Sequence, residues 1–351
     1  MKVRSRTLAR RPRGYSIAVA STPPSGGPPA FLAGSEGDGP LLQFSPPDFR
    51  PVVVTQPPGG FISTCFLERP DRRFAVASTR FKPGFDAAEA EIRVYPLDGD
   101  AAPRGAIVAR LPYTHRIALL THGGREFLVA STLCAAKAFR EDWTQPGGIH
   151  LAEIPADPLQ PWQFRQIVPG LNQNHGLDFA RLGRDRRPGY LLSALEGLFF
   201  LPLPADPDGA WTTERLDPAG HSDAFAFDWD GDGCPEIFSI SPFHGHVLSV
   251  LRERDGAWQR RVIHDDFAFG HIVWAGDLLG RPGLLAGSRR ERRELRLYRP
   301  APDGGIDPTY CLIDEGIGPT QLTVVNDGPR HAWLYVAAHG LDEVRLYELE
   351  A

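Results

Sequence analysis

The sequence has few of the features that mark membrane, secreted or helical proteins. It contains no long run of apolar residues, and no window shows apolar residues at helical spacing. The basic N-terminal stretch, residues 1–16, is not followed by the apolar segment that a secretory signal contains. We therefore expect a cytoplasmic protein with few helices and no membrane contact.

Cysteine and net charge are also low. The four cysteines stand singly along the chain, with no CxxC pair, which predicts buried free thiols in a reducing compartment. They are Cys65, Cys134, Cys234 and Cys311. A net charge of −5 gives no electrostatic reason to expect a nucleic-acid partner. The oligomeric state is not indicated.

Glycine and proline, in contrast, are abundant. The chain has 37 Gly and 34 Pro, and the prolines fall between short apolar runs, which indicates many short strands. With 351 residues and 42% hydrophobic content, it can bury the core of one large domain or two ordinary ones.

The most distinctive local pattern lies in residues 221–251. An acidic loop, Asp-x-Asp-x-Asp-Gly at residues 228–233, separates two short runs with strand character, so the pattern is not an EF-hand. Carboxylates on alternate residues can converge on one hard cation, and glycine lets the chain turn beneath it. We expect a structural Ca²⁺ here, with a solvated turn as the alternative. The expected ligands are Asp228, Asp230, Asp232 and Glu236.

The plan of strand, turn, strand, polar loop and strand recurs at a period of about 50 residues along the chain. It is clearest in residues 115–154, 175–203, 221–251 and 271–298, and weaker in residues 15–44, 61–95 and 320–349. Short strands repeated at such a period are typical of a β-propeller, in which each unit is one four-stranded blade.

The repeats therefore predict an all-β fold: a seven-bladed β-propeller of four-stranded antiparallel blades, forming a single domain over residues 1–351. The last unit lacks a fourth strand, and residues 3–9 are the spare strand that can complete it and remove the open edges. A pair of two-sheet sandwiches is the alternative, and the even spacing argues against it. The expected blades are residues 10–58, 59–112, 113–170, 171–218, 219–266, 267–315 and 316–351 with 3–9.

Four histidines occupy equivalent positions at the start of inner strands and are expected to meet at one mouth of the funnel. They are His115, His175, His221 and His271, with Gln321 in the seventh unit. Three explanations stay open. The side chains can cap strands, bind a divalent transition metal, or perform metal-free acid–base chemistry near neutral pH.

A second set of polar and aromatic residues is expected around the same mouth, where it would bind a small carbohydrate. The set on loops between second and third strands is Arg80, Lys82, Lys137, Trp143, Glu196, His244, Arg289 and His339, and Trp274 joins it from an inner strand. The guanidinium groups can clamp a carboxylate, phosphate or enolate oxygen, or form a solvated rim. The two tryptophans can stack on a sugar ring or belong to the core.

The acidic loop, from Asp228 to Glu236, resembles the FG-GAP/VCBS repeat of calcium-loop propellers. The motifs Asn-His-Gly at His175, Pro-Phe-His-Gly at His244 and Phe-Gly-His at His271 resemble a bacterial VCBS-type family, as does Gly-Ser-Arg-Arg at residues 287–290. More distantly, they resemble the propeller of the fungal aldos-2-ulose (anhydrofructose) dehydratases, which implies a metal-dependent sugar lyase. The turns at residues 122–124, 183–185 and 279–281 lack the acidic triplet, so at most one calcium loop is expected.

Three functions remain open. The first is a carbohydrate-active lyase, dehydratase or isomerase acting on a keto-sugar, anhydrosugar or uronide. A histidine would remove a proton next to a carbonyl or carboxylate, and a metal or arginine would stabilise the enolate. The second is a non-catalytic propeller that binds a saccharide or a protein. The third is a scaffold that uses its blade edges. The fold alone does not decide among them.

Overall fold

The computed structural model describes residues 1–10, 13–23, 26–55, 59–98 and 105–351. These residues form seven four-stranded antiparallel sheets arranged as a β-propeller, with one 3-10 turn at His339–Leu341 as their helical element. The all-β, seven-bladed prediction is confirmed. The predicted limits of the single domain and its blades stay predictions, and the limit at residue 58 lies outside the described residues.

Each of the first six blades is one continuous segment, with its strands in chain order from the inner to the outer edge. Blade one contains β2 (Gly14–Val19), β3 (Phe31–Ser35), β4 (Leu41–Ser45) and β5 (Arg50–Thr55). Blade two contains β6 (Ser63–Glu68), β7 (Arg73–Thr79), β8 (Glu91–Pro96) and β9 (Ala106–Arg110). Blade three contains β10 (Thr114–His122), β11 (Arg125–Thr132), β12 (Gly147–Glu153) and β13 (Arg165–Leu171). Blade four contains β14 (Gly176–Leu182), β15 (Arg187–Ala194), β16 (Gly197–Pro202) and β17 (Glu214–Asp217). Blade five contains β18 (Asp223–Phe227), β19 (Glu236–Ser241), β20 (Val247–Arg254) and β21 (Ala257–His264). Blade six contains β22 (Gly270–Asp277), β23 (Pro282–Ser288), β24 (Leu295–Tyr298) and β25 (Cys311–Asp314).

The seventh blade joins the two ends of the described chain. Its strands are β26 (Pro319–Asn326), β27 (His331–Ala338), β28 (Glu343–Glu350) and, at the outer edge, β1 (Lys2–Arg10). In the β1–β28 register, Val3 lies opposite Leu349 and Ala9 lies opposite Val344. The predicted closure by residues 3–9 is therefore confirmed, and the seventh sheet has the same four strands as the others.

The core lies between neighbouring blades. The second strand of each blade is packed on both faces, so residues 31–35 and 236–241 are buried along their whole length. Such strands read as nearly continuous apolar runs because neither face meets water. The first strands of successive blades contact one another around a closed ring, from β2 through β26 and back to β2. The fold therefore gathers the seven strand starts around one central funnel.

A Glu-x-Arg-x-Tyr repeat links blades through their third strands, at residues 91–95, 294–298 and 343–347. In the seventh blade Asp314, from the end of the preceding blade, accepts hydrogen bonds from Arg345 Nη1 and from the Tyr347 hydroxyl, both at 2.7 Å. In the sixth blade Arg296 makes paired bonds of 2.8 and 3.0 Å to Asp266 of the fifth. These contacts tie adjacent blades together outside the apolar core.

The four cysteines are unpaired, as expected, but they are not uniformly buried. Cys134 is buried and Cys311 is exposed, because Cys311 lies on an outer strand with one face to solvent. Among the described residues, none of the helical segments is long and apolar enough to cross a membrane.

Candidate functional site

The same β-bulge occurs at the start of the inner strand in four blades. In the first blade, Gly14 and Ser16 lie opposite the consecutive residues Ser35 and Gly34, so Tyr15 is the extra residue. Bulges bend the strand and re-aim a side chain. The residues in this position are Tyr15, His115, His271 and Thr320.

Four imidazoles and one phenol meet at this level, and we call them the imidazole cluster: Tyr15, His115, His175, His244 and His271. The Tyr15 hydroxyl lies 2.9 Å from His271 Nε2 and 3.4 Å from His115 Nε2. The Nε2 atoms of His175 and His244 are 3.2 Å apart. The ligand nitrogens of His175, His244 and His271 all lie within 4.8 Å of one another.

Burial sets the protonation of the cluster. Desolvation lowers the pKa of all four histidines well below the usual value, reinforced by the positive charge of Arg116 in all four and by that of Arg289 in His115, His244 and His271. The imidazoles are therefore neutral at neutral pH. Burial also raises the pKa of Tyr15 to about 12, so its phenol keeps its proton. His175 Nδ1 lies 2.9 Å from the carbonyl of Ser222, which assigns the proton to Nδ1 and a lone pair to Nε2.

The cluster opens into a cavity of about 320 Å³, which we call the mouth cavity. This volume lies in the range of small-molecule sites, roughly 300–1,000 Å³. Tyr15, His115 and His244 form part of its wall. Its aromatic neighbours are Phe81, Phe85 and Phe269, and its charged residues are Arg13, Glu36, Arg140, Arg289 and Arg290, with His339 beside them.

The backbone around the mouth cavity is strained. Arg13, Phe85, His244 and Phe269 have φ values of 52°, 64°, 48° and 64°, in the left-handed region that non-glycine residues rarely adopt. Such conformations cost of order 1–3 kcal/mol each and cluster at functional sites. At His244 this turn places the imidazole next to His175, although the two residues belong to different blades.

A second cavity of about 360 Å³ adjoins the first, and we call it the annex cavity. The two share residues 83–85 and Arg140 as their common wall. Lys137 places its ammonium 3.1 Å from the centre of the Trp143 ring, and Phe139 is 64% exposed in the same loop. Aromatic faces next to a cation and solvent provide a surface on which a sugar ring can stack.

Comparisons with known proteins identify the architecture and no family. No protein-family model matches the chain, and no curated protein matches it. Solved structures do match. A functionally unknown protein from Desulfotomaculum acetoxidans is 14% identical with a TM-score of 0.54 and covers 85% of this chain and 84% of its own. A candidate 6-phosphogluconolactonase from Bacteroides fragilis is 13% identical with a TM-score of 0.52 and covers 87% of each chain. An ancestral GH74 enzyme is 12% identical with a TM-score of 0.61 and covers 97% of this chain and 48% of its own. These likenesses show the fold.

Of the five predicted ring residues, His115 lines the mouth cavity, His175 and His271 join the imidazole cluster without lining it, and His221 and Gln321 belong to neither. His221 precedes a strand that starts without a bulge, and its Nε2 lies 3.5 Å from Asp217. Gln321 follows the bulged Thr320 by one residue, so its side chain is aimed elsewhere and its Oε1 accepts the backbone N–H of Ile17 at 2.9 Å. A shift of one residue along a strand moves a side chain to the other face.

Four other predicted residues also lie away from the mouth cavity. Arg80 pairs with Glu91 at 3.1 Å, and Lys82 is exposed near Asp86. Glu196 accepts the backbone N–H of Asn172, and Trp274 packs against the apolar core between the last two blades. The structure does place Arg289 and His339 at the mouth cavity, with His244 in the cluster and Lys137 at the annex cavity.

Sequence reasoning missed Tyr15, although the signal was present. Tyr15 stands at the start of the first repeat, in the position that His115 and His271 occupy in theirs. Arg116 was missed as well, and it is buried with its Nε 3.3 Å from the carbonyl of His175.

Two carboxyl groups form a pair on the inner strands of blades four and five, with Asp223 buried and Asp178 half-buried. Asp178 and Asp223 are hydrogen-bonded to each other, and Asp223 also accepts the backbone N–H of Val273 at 3.3 Å. Burial raises the pKa of Asp178 to about 6 and that of Asp223 well above its usual value. The positive charge of Arg116 opposes this effect in both. The pair therefore keeps at least one proton near neutral pH.

The acidic loop lies at the opposite end of β19 from His244. Asp228, Asp230 and Glu236 bring oxygens within 4.8 Å of one another, and Asp228 Oδ1 is buried with no hydrogen-bond partner. Burial raises the pKa of Glu236 to about 7. Arg252 lies 3.1 Å from Glu236 and competes with a cation for it. Asp232 is turned outward, and its Oδ1 accepts the N–H of Cys234.

Proposed function

We propose that the protein is a carbohydrate-active lyase, dehydratase or isomerase that binds a keto-sugar, anhydrosugar or uronide in the mouth cavity. The observation that carries the proposal is the imidazole cluster, in which two neutral imidazoles and one protonated phenol line the mouth cavity and two further imidazoles adjoin them. This combination supplies a base and an acid side by side, which elimination and isomerisation both require.

The base in the proposed reaction is a neutral histidine. His175 has its Nδ1 proton held by Ser222, so its Nε2 carries a lone pair that accepts the Nε2 proton of His244 at 3.2 Å. His244 lines the mouth cavity, and its Nδ1 can take a proton from the carbon next to a carbonyl or carboxylate while its Nε2 proton passes to His175. The lowered pKa of both histidines keeps them neutral at neutral pH, although it also makes the imidazoles weaker bases. The guanidinium of Arg289 lies close enough to His271 to affect its pKa, and it can stabilise the negative charge of an enolate in the same cavity.

The acid in the proposed reaction is Tyr15. Its raised pKa keeps the hydroxyl protonated, and the hydroxyl is shared between His271 and His115. In an elimination, the C–H electron pair becomes the new double bond and the C–O bond breaks. The Tyr15 proton goes to the departing oxygen, and a proton relayed through a neighbouring histidine restores the phenol.

The cluster also fits a divalent transition metal. His175, His244 and His271 would hold it through three neutral imidazole nitrogens, a donor set that suits such metals. A bound metal would supply Lewis-acid polarisation of the sugar carbonyl. Two structural neighbours bear names of carbohydrate enzymes, which agrees with a carbohydrate ligand. They say nothing about the reaction, because the likeness is one of fold alone.

The test is a substrate screen with matched variants. The full chain is incubated with keto-sugars, anhydrosugars and uronides, and elimination is followed by the ultraviolet absorbance of the new double bond. We expect His175→Ala and Tyr15→Phe each to lower the rate at least about 100-fold. The control is His122→Gln, because His122 ends the same strand that His115 begins.

Elemental analysis of the same preparations measures whether metal is present and whether His175→Ala loses it. Equal rates in wild type and both cluster variants on a turned-over substrate would refute the proposal. Saccharide binding without turnover of any substrate would favour a non-catalytic binding propeller instead.

A further inference from the structure

We propose that the ligand of the mouth cavity is an anionic saccharide whose acidic group is held by Arg289 and Arg290. This inference rests on the proposed function for its choice of a sugar and goes beyond it in assigning the charge. The shared chemistry is an oxyanion, either a planar carboxylate or a tetrahedral phosphate. A guanidinium binds both through two parallel N–H···O bonds.

The first argument is the charge of the cavity wall. Four arginines line the mouth cavity and one carboxylate, Glu36, accompanies them. Glu36 Oε2 lies 3.4 Å from Nε2 of His339, and this single carboxylate leaves the cavity wall with an excess of positive charge. In the parts of the chain that the structure describes, no carboxylate lies within 4 Å of the guanidinium groups of Arg289 or Arg290. A concave site with one sign of charge and apolar walls focuses its field on a ligand of the opposite sign.

The second argument is a comparison between two blades. Arg80 follows β7 as Arg289 follows β23, and Glu91 is the first residue of β8 while Glu294 immediately precedes β24. In the second blade Arg80 is neutralised by Glu91 at 3.1 Å. In the sixth blade Glu294 pairs with other arginines, and Arg289 turns inward instead.

The third argument is how Arg289 and Arg290 are held. Arg289 Nη2 lies 2.9 Å from Nε2 of the neighbouring His339, and its guanidinium lies over the rings of Tyr15 and Phe269 at 5.6 and 5.3 Å. Arg290 lies over the other side of the same site, 4.7 Å from the Phe269 ring centre. Contacts of this kind orient the two guanidinium groups and leave their charge uncompensated.

The position of these charges suits the proposed chemistry. The charge of Arg289 contributes to lowering the pKa of both His244 and His271, so it acts on the imidazole cluster itself. An acidic group bound there would bring the adjacent carbon of the sugar to the cluster. The same guanidinium would then stabilise the charge that develops on that group when the carbon loses its proton.

The experiment compares three ligands that share one ring and differ at C6: glucuronate, glucose 6-phosphate and glucose. Binding to the full chain is measured by isothermal titration calorimetry at neutral pH, at low and high salt. We expect at least one of the anions to bind at least about tenfold tighter than glucose, with an affinity that falls as salt increases. Which of them binds tighter distinguishes a carboxylate from a phosphate.

Variants locate the effect. Arg290→Gln and Arg289→Gln should each lower the affinity for the anion about ten- to hundredfold, the size of a hydrogen bond between charged groups, and should lower it more than the affinity for glucose. The control is Arg261→Gln, which removes the same charge from the exposed outer strand β21. Melting temperatures show whether each variant is folded. If Arg289→Gln does not fold, Arg290→Gln provides the test, because Arg290 is exposed.

Each outcome bears on the inference separately from the proposed function. Equal binding of all three sugars, no binding of any, or equal losses in Arg290→Gln and Arg261→Gln would overturn it. Anion binding without elimination would support the anionic ligand and count against the lyase or isomerase. Turnover of a neutral sugar, with both anions bound no tighter than glucose, would do the reverse.

Discussion

The carboxyl pair of blades four and five leads to a prediction about stability and pH. Asp178 and Asp223 share a hydrogen bond, and burial raises the pKa of both above the unfolded value of about 3.9. A raised carboxyl pKa means that the folded state prefers the protonated form. The contribution to stability is therefore fully present below about pH 4 and is lost as pH rises through the folded pKa.

The size of the loss follows from the shift at Asp178. Its pKa rises to about 6, a change of about two units, and each unit corresponds to about 1.4 kcal/mol. Ionising this group in the folded protein therefore costs about 3 kcal/mol by pH 8. For 351 residues, with an unfolding entropy of about 2 cal/mol/K per residue, this is a change in melting temperature of about 4 °C.

The perturbation is Asp178→Asn, which replaces the carboxyl whose shift was used above by an amide of the same shape. The amide does not ionise, so the penalty that Asp178 causes at high pH should disappear. We expect the variant to melt about 4 °C higher than wild type near pH 8 and no higher near pH 4.

The assay is differential scanning calorimetry of both proteins from about pH 4 to 8, with the difference in melting temperature as the readout. Taking the difference cancels groups that titrate alike in both proteins. Asp185→Asn is the matched control, because Asp185 is an exposed carboxylate at the turn between β14 and β15. A difference that is constant with pH, or one that is largest near pH 4, would refute the assignment of a shared proton.

Three further predictions concern other parts of the molecule. Excess Ca²⁺ should raise the melting temperature, because binding at a hundredfold excess over Kd adds up to about 2.7 kcal/mol to the free energy of unfolding. Asp230→Ala should abolish this response, and an unchanged response in the variant would mean that any calcium binds elsewhere. Asp314→Asn should destabilise the fold by about 2 kcal/mol in urea unfolding, because Arg345 and Tyr347 both bond to that carboxylate, and no loss would mean that water replaces both contacts. Any elimination activity should stay constant as pH falls from about 8 to 6, because the lowered pKa of His175 keeps it neutral, whereas an inflection near pH 6.5 would show an ordinary histidine.

The fold was predictable because one pattern of strands and turns is repeated along the chain. Seven weak copies of one strand pattern support each other, and a seventh copy short of one strand identifies Lys2–Arg10 as the closing partner. The candidate site was predictable only in part. The equivalent positions of His115 and His271 follow from the repeat, whereas the bulge that selects Thr320 over Gln321 leaves no mark in the sequence.

The remaining differences have local physical causes. His244 joins the cluster because its own backbone adopts a positive φ, a conformation that the presence of a histidine in the sequence does not predict. Arg80 and Arg289 occupy equivalent positions, and only their neighbours decide which one is neutralised and which one faces the cavity. Side chains from different blades therefore converge only where the backbone conformation and the neighbouring charges of each loop allow it.

The pairing of β1 with β28 has a consequence for synthesis of the chain. Val3 meets Leu349, so the first strand emerges from the ribosome long before its partner and waits roughly 20–70 s at ordinary translation rates. During that time it is an unpaired edge that could join another nascent chain. Its alternating cations, Lys2, Arg4, Arg6 and Arg10, are the kind of residue that discourages such pairing. Three of them, Lys2, Arg4 and Arg10, pair with carboxylates of β28 when the ring closes, so the charges that keep this strand apart beforehand then help to hold the two ends of the chain together.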